Sequence, residues 1–292
     1  MSSEHTLNLQ DGTKIFYRDS HPESYQGLTV IALAGLTRNS LDFEYLVAHF
    51  DPKIRLIRID SRGRGHSDWS DPSNYTVAQE AADVLEVMDQ LAIERAAFIG
   101  TSRGGLISMS LAYAAVERIV GVLFNDIGPV LEFAGLQKIG DYLGVQPQAQ
   151  TLQEMAEVLK GSRSGFNHVP DSRWLEEAQH QYLQGEDSVE LFYDPALRDG
   201  FVASMVDVDA ADIPPIWALF DLLENKPLAV IRGESSDILS AETVVEMQTR
   251  RPDILATTLR DRAHVPFLDE PEALETIRAW LDLCQQSLDK TR

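Results

Sequence analysis

The order of hydrophobic and polar positions along the chain predicts a series of strands and helices. Residues 5–20, "HTLNLQDGTKIFYRDS", alternate apolar and polar side chains around Asp11-Gly12, which predicts an antiparallel hairpin. Residues 75–93 place apolar side chains at helical spacing instead. Short apolar runs typical of strands lie at 28–35, 53–60, 96–100, 119–126, 226–233 and 254–261.

Helical stretches lie between these runs, so strands and helices alternate over most of the chain. This alternation predicts an α/β fold with a mostly parallel sheet and helices on both faces, because parallel strands need crossover connections. Parallel strands are buried on both sides, and the nearly continuous apolar character of these runs agrees with that.

The alternation stops between Pro129 and about Asn225, where polar helical segments carry scattered aromatic residues. We interpret this stretch as a helical cap, or lid, that sits on the sheet, because cavities form readily between a helical layer and a sheet. The predicted organisation is a core of residues 1–128 and 226–292 with a cap at 129–225. Trp217 and Phe220 of the cap are candidate substrate-binding residues.

Composition narrows the class of protein. The 292 residues are 44% apolar, enough for a substantial core, and the first thirty show no secretory signal pattern. Cys284 is the single cysteine, which excludes an internal disulfide and fits a reducing compartment. No apolar stretch approaches the length of a membrane span. We therefore expect a cytoplasmic protein.

The net charge of the chain argues against some classes of partner. The chain has 25 Lys and Arg against 46 Asp and Glu, a net charge of −21. Such a field repels nucleic acids and anionic membranes, so we expect neither as a partner. The histidines show no metal-ligand spacing and no glycine loop for phosphate appears, so neither a metal nor an organic cofactor is implied. The oligomeric state is left open, a homo-oligomer included.

The segment "FIGTSRGGL" at residues 98–106 carries the strongest chemical signal. A strand runs to Gly100, a tight turn passes through Ser102, and a helix of small residues follows. A serine hydroxyl needs a base to become a nucleophile, and His264, after the last strand, faces the same edge of the sheet. Asp237 and Asp126 both lie at that edge, and each could orient the imidazole.

An oxyanion formed at Ser102 would need fixed donors. The backbone N–H of Arg103 is one candidate. Leu36, in the loop "LAGLTRNS" after the strand at 28–35, offers the other, because Gly35 lets the backbone approach closely.

Together the segments "GTSRGG", "AGLTRNS", "IDSRGRGHSD", "SSDIL" and "AHVPFLDEP" resemble the α/β-hydrolase superfamily, in the branch with a helical cap. The resemblance covers nearly the whole chain and implies the α/β-hydrolase fold, with an eight-stranded sheet and acyl transfer to water. The chain order Ser102, Asp237, His264 is the one expected for this family, so we predict Asp237 as the acid. Asp126, before Gly-Pro, is interpreted as a turn former.

The chain departs from many relatives at two positions, with Ala34 in place of a histidine and Arg103 after the serine. Arg103 either pairs with an acid such as Asp60 or Asp126, or attracts a substrate carboxylate. Arg38 is a second candidate for substrate binding.

The predicted function is a serine hydrolase that cleaves a small-molecule ester, lactone or related carbonyl compound through an acyl-enzyme. A hydrolase of carbon–carbon bonds in aromatic ring-fission products is the alternative with the same triad. A small-molecule receptor on the same fold is the alternative of another class.

Overall fold

The sheet at the centre of the molecule is seen in a computed structural model that describes residues 2–21, 25, 27–205 and 215–290, without the side chains of 204 and 205. Residues 206–214 of the predicted cap lie outside the described residues. The strands are β1 Ser3–Asn8, β2 Lys14–Asp19, β3 Thr29–Leu33, β4 Arg55–Ile59, β5 Ala96–Thr101, β6 Ile119–Asn125, β7 Tyr182–Gln184, β8 Val189–Leu191, β9 Leu228–Gly233 and β10 Leu255–Leu259.

The helices connect these strands and form the insertion after β6. They are α1 Glu44–Val47, α2 Val77–Gln90, α3 Arg103–Ala115, α4 Phe133–Tyr142, α5 Leu152–Ser162, α6 Asp171–Gln181, α7 Leu197–Met205, α8 Trp217–Asp221, α9 Ala241–Arg250 and α10 Pro271–Lys290. Within the described ranges, no helix is both long and apolar enough to cross a membrane.

Eight of the described strands form one sheet in the order β1-β2-β4-β3-β5-β6-β9-β10. The hairpin β1–β2 and the β2–β4 pair are antiparallel, and the remaining pairs are parallel. Every residue of β3, β5, β6 and β9 is buried, as parallel strands covered on both faces require. The predicted mostly parallel eight-stranded sheet is confirmed.

Helices cover both faces of the sheet. Apolar residues of α2, α3, α8 and α9 pack into one core cluster, and those of α1 and α10 pack into a second cluster on the opposite face. The side chain of Thr76 caps α2 by accepting a hydrogen bond from the Gln79 N–H, which satisfies a donor left free at the helix start. Burial of an apolar stripe on each helix holds these layers together.

The insertion between β6 and β9 has an apolar cluster of its own. Residues of α5, α6 and β8 pack around Trp174, Leu159 and Met155. The last helix of the insertion, α8, packs differently, because Phe220 is fully buried against Phe124 of the main core. The boundary of the predicted cap at 129–225 stays a prediction, and α8 at its end lies on the sheet.

The reactivity of Cys284 reports how tightly α10 packs against the sheet. Its thiol is fully buried, lies against Gly121 and has a pKa raised by that burial. We expect a thiol-specific reagent to label the folded protein at least about a hundredfold more slowly than the unfolded chain, because only an exposed thiolate reacts. Labelling in urea serves as the control, and a rate that does not depend on urea would contradict this packing.

Candidate active site

Ser102 lies in the turn between β5 and α3, in a backbone conformation that few side chains adopt. Its φ is +50° and its ψ is −115°, and its N–H donates to the carbonyl of Asn125 at 3.0 Å. Such a conformation costs on the order of 1–3 kcal/mol and persists only where the surroundings enforce it. The predicted sequence of strand, tight turn and helix around Ser102 is confirmed.

The two glycines that flank Ser102 explain why the turn needs these residues. A Cβ on Gly104 would lie 2.0 Å from the carbonyl oxygen of Leu33, and one on Gly100 would lie 2.5 Å from the backbone nitrogen of Gly105. Neither position has space for a side chain, because backbone atoms occupy it. The glycines therefore let α3 approach the sheet closely enough to project Ser102 above the strand ends.

His264 lies in the loop after β10 and reaches back to this serine. Its Nε2 atom is 2.9 Å from Ser102 Oγ, and its side chain is 17% exposed. The imidazole can therefore accept the hydroxyl proton if its other nitrogen carries a hydrogen. The structure brings these two predicted residues together.

Asp126 contacts the other nitrogen of the imidazole. Its Oδ2 atom lies 2.8 Å from His264 Nδ1 and also accepts from the Ser236 hydroxyl at 2.6 Å. Its Oδ1 atom accepts from the Gly233 N–H at 2.8 Å. A fully buried carboxylate held by these donors can fix the tautomer of His264 and stabilise its cationic form.

The prediction that Asp237 orients His264 is wrong in this geometry. Asp237 is 37% exposed and its Oδ2 atom accepts from Lys138 Nζ at 2.7 Å. The loop after β9 turns Ser236 towards Asp126 and leaves Asp237 at the surface. Asp126 comes directly after β6, one strand from β5, and therefore reaches the site without a long loop.

The predicted oxyanion donors lie close to the serine. A Cβ on Gly35 would be 3.7 Å from Ser102 Cβ, so the loop that carries Leu36 passes beside the nucleophile position. The Leu36 carbonyl accepts from Arg64 Nε at 2.8 Å, which fixes this loop. Arg103 begins α3, where backbone N–H groups lack partners within the helix. The role of Leu36 and Arg103 stays a prediction.

The side chain of Arg103 is bound to protein groups on α2 and before it. It forms two hydrogen bonds to Glu80, at 2.7 and 2.9 Å, and a third to the carbonyl of Tyr75. Burial raises the pKa of Glu80, but Arg64 and Arg103 outweigh it and hold that pKa below its usual value. Of the two alternatives, pairing with an acid is the one the structure shows, but that acid is Glu80 on the adjacent α2 and not Asp60 or Asp126.

The positive charge of Arg38 is also balanced by carboxylates. Its guanidinium binds Asp42 and the cap residue Glu177, each at 2.8 Å. Burial raises the pKa of Asp42, whereas Arg38 and its neighbours hold the pKa of Glu177 below its usual value despite burial. Arg38 therefore joins the loop after β3 to α6 and is not free to bind a substrate.

Trp217 and Phe220 do not line the site either. Phe220 is buried in the main core, and Trp217 packs against Phe220 on one side and the Arg250 guanidinium on the other. Their prediction as substrate-binding residues is wrong because α8 leaves the cap and packs against α3. Tyr182, one of the aromatic residues of the predicted cap, and Ile139, which sequence reasoning missed, pack with Leu36 against one cluster. No motif marks them, since only the cap fold brings them there.

The fold and the site together define a class of proteins, in which a serine on a strained turn, a histidine after the last strand and a buried acid meet at one edge of an α/β sheet. A family model described as "Alpha/beta hydrolase family" matches residues 30–277. The chain belongs to this α/β-hydrolase family, and it is an enzyme with hydrolytic activity.

Individual relatives agree with this assignment. The chain is 34% identical to the 3-hydroxybutyrate-oligomer hydrolase of Cupriavidus necator over 83% of this chain and 84% of that protein. It is 26% identical to 3-oxoadipate enol-lactonase 2 of Acinetobacter baylyi over 78% of each chain. A solved α/β-hydrolase structure from Novosphingobium aromaticivorans superposes with a TM-score of 0.87 at 33% identity, covering 97% of this chain and 98% of that one.

The two candidate acids can be separated by matched substitutions. Asp126→Asn keeps the side-chain size but stabilises the wrong imidazole tautomer, so we expect kcat for 4-nitrophenyl butyrate to fall by about 10⁴. Asp237→Asn serves as the control and should stay within about threefold of the parent, because a surface ion pair contributes little. A larger loss in Asp237→Asn than in Asp126→Asn would contradict the assignment.

Proposed function

We propose that this protein is a serine esterase in which Ser102 is the nucleophile, His264 the base and Asp126 the residue that orients the base. The observation that carries the proposal is the continuous row from Asp126 Oδ2 through His264 to Ser102 Oγ, with both contacts below 3 Å. A serine hydroxyl is a weak nucleophile that gains strength from an adjacent base held in place by a third group. The hydrolytic relatives support the same chemistry.

The reaction begins when Ser102 Oγ bonds to the ester carbonyl carbon and its proton passes to His264 Nε2. Backbone N–H groups of Leu36 and Arg103 stabilise the negative oxygen of the tetrahedral intermediate. The carbon–oxygen bond to the alcohol then breaks, and the leaving oxygen takes the proton from His264. This step leaves an acyl group on Ser102.

Water completes the cycle. His264 takes a proton from the water as its oxygen attacks the acyl carbonyl, and Ser102 leaves with that proton as the acid product forms. Asp126 accepts the hydrogen bond from the imidazolium and stabilises it in both steps. Its burial strengthens this interaction, since little solvent screens the pair.

The proposed substrate class is a small aliphatic ester, with short linear esters of hydroxycarboxylic acids as the first to test. The relative at 34% identity, named as a hydrolase of 3-hydroxybutyrate oligomers, supports this choice. The side chains of Leu36, Ile139 and Tyr182 would give an aliphatic chain an apolar wall. The linear dimer of 3-hydroxybutyrate is therefore a suitable probe beside 4-nitrophenyl butyrate.

A fluorophosphonate probe tests the nucleophile directly. We expect one covalent adduct on Ser102 by peptide mass spectrometry, and none in Ser102→Ala, because only an activated serine attacks phosphorus. Ser73→Ala removes an exposed serine and serves as the matched control that labels like the parent. An adduct elsewhere, or unchanged labelling of Ser102→Ala, would contradict the mechanism.

Steady-state hydrolysis separates this function from its alternatives. We expect continued turnover of the 3-hydroxybutyrate dimer, with kcat reduced at least about a thousandfold in His264→Ala. Faster cleavage of a carbon–carbon bond in a ring-fission diketone would favour the carbon–carbon hydrolase. A single slow cycle without further turnover would favour a receptor.

A further inference from the structure

The two backbone N–H groups that we expect to hold the oxyanion lie in different segments of the chain. One belongs to Leu36, in the loop after β3, and the other belongs to Arg103, the first residue of α3. Within the part of the chain that the structure describes, neither N–H donates a hydrogen bond to another protein group. The spacing of these two donors therefore depends on what joins the loop to the helix.

The peptide groups on both sides of Leu36 are hydrogen-bonded. The Leu36 carbonyl accepts from Arg64 Nε at 2.8 Å, and the Gly35 carbonyl accepts from the Arg38 N–H at 3.1 Å. The N–H and the carbonyl of a trans peptide point in opposite directions, so the Leu36 N–H faces away from the Arg38 N–H. A Cβ on Gly35 would lie 3.7 Å from Ser102 Cβ, so this oriented peptide passes beside the nucleophile.

The side chain of Arg103 is restrained by Glu80 of α2. Arg103 Nε donates to Glu80 Oε2 at 2.7 Å, and Arg103 Nη2 donates to Glu80 Oε1 at 2.9 Å. The same Nη2 atom donates to the Tyr75 carbonyl at 2.8 Å. A guanidinium that meets a carboxylate through two nitrogens has a defined orientation. Because Arg103 begins α3, these contacts also restrain the position of its backbone N–H.

Glu80 connects the two segments. Its Oε1 atom also accepts from Arg64 Nη1 at 2.7 Å. Arg64 is the residue that binds the Leu36 carbonyl, so a continuous row of hydrogen bonds runs from that carbonyl to the Arg103 side chain. Arg64 and Glu80 are fully buried, and removing one partner of a buried ion pair leaves a charge without compensation. The row therefore resists displacement of the loop relative to α3.

We infer that Glu80 is the positioning residue of the oxyanion hole, because it holds the segments that carry the Leu36 and Arg103 N–H groups at a fixed spacing. The inference rests on the proposed esterase function and gives a role in catalysis to a residue that touches no reacting atom. Donors that are already in place need no reorganisation when negative charge develops on the substrate oxygen. Arg64 and the Arg103 side chain act through the same row of hydrogen bonds.

The test begins with Glu80→Gln, which keeps the side-chain size and removes the charge that binds both guanidinium groups. We expect kcat for 4-nitrophenyl butyrate, counted per site that reacts with a fluorophosphonate, to fall about 10- to 100-fold. KM should stay within about threefold, because displaced donors weaken the transition state and not the bound ester. The change in charge predicts the opposite result, since losing a carboxylate makes the surroundings of the oxyanion more positive. A fall in kcat therefore reports lost position.

An inhibitor that forms an oxyanion gives a second readout. Ser102 Oγ bonds to the carbonyl carbon of an aliphatic trifluoromethyl ketone, its proton passes to His264, and the carbonyl oxygen becomes the oxyanion. In Glu80→Gln we expect the inhibition constant of this ketone to rise by about the same factor as kcat/KM falls, because both depend on the same donors. The corresponding alcohol has no carbonyl to attack, so its inhibition constant should change less than about threefold.

Asp83→Asn is the matched control. Asp83 lies one turn further along α2, is buried and binds Arg62 through two hydrogen bonds, so this change also breaks a buried ion pair of the same helix. Among the described residues, its side chain accepts from Arg62 and Gln79 and contacts neither segment of the oxyanion hole. We expect a lower thermal midpoint in both variants, but kcat per labelled site within about threefold of the parent in Asp83→Asn.

Arg103→Met supplies a second variant if Glu80→Gln does not fold, because it leaves Glu80 paired with Arg64. It keeps the backbone N–H and removes only the side-chain link. We expect kcat to fall about tenfold and the inhibition constant of the ketone to rise in proportion. Arg103→Lys should restore part of the loss, since an ammonium group can still bind Glu80 without the planar fork.

Unchanged kcat in the variants would overturn the inference, as would a loss confined to KM or a loss of kcat without a weaker ketone. An equal fall of kcat in Asp83→Asn would also overturn it, because any broken ion pair on α2 would then have the same effect. The parent protein separates these results from failure of the proposed function. If the parent hydrolyses 4-nitrophenyl butyrate, loss of the inference leaves the esterase intact, whereas no turnover and no labelling of Ser102 would overturn both.

Discussion

The hydrogen bond between the buried Asp126 carboxylate and His264 is the interaction on which the rest of the site depends. Asp126 lies at a positive φ of 55° directly after β6. The N–H of Gly233, the last residue of β9, and the hydroxyl of Ser236 in the following loop donate to its two oxygens. The strand order β5-β6-β9 therefore sets the acid between the nucleophile strand and its own anchor. A different order would leave His264 without a fixed tautomer, even with all three side chains present.

Local sequence patterns predict those parts of the site that the backbone itself enforces. Gly100 and Gly104 mark the turn because any Cβ there meets backbone atoms, and His264 follows a strand whose direction is set by the sheet. The acid was not predictable in the same way. Asp126 and Asp237 both lie after strands at one edge, and their difference depends on which way the loop after β9 turns, a tertiary property. The prediction that Trp217 and Phe220 bind the substrate was wrong for a related reason. Phe220 is buried in the main core, so α8 packs against α3.

Several buried arginines near the site form ion pairs with carboxylates. Arg64 and Arg103 share Glu80, Arg62 binds Asp83, and Arg38 binds Asp42 and Glu177. Leaving one member of such a group unpaired in the interior costs several kcal/mol, so each pair fixes the elements that carry it. Near Ser102, these pairs hold the loop after β3 through Arg38, the start of α3 through Arg103, and α6 through Glu177. The charges therefore align the parts of the site more than they add to its stability.

The Arg38–Glu177 pair has a particular consequence, because it joins the loop after β3 to α6 of the insertion. Arg38 belongs to the loop whose Leu36 carbonyl is held by Arg64, and Glu177 belongs to the cap helix that continues to Gln181 and Tyr182. Movement of α6 away from the core would separate buried Glu177 from the Arg38 guanidinium, which costs more than the loss of apolar contact alone. This ion pair therefore holds α6 in a defined position against the loop that carries Leu36.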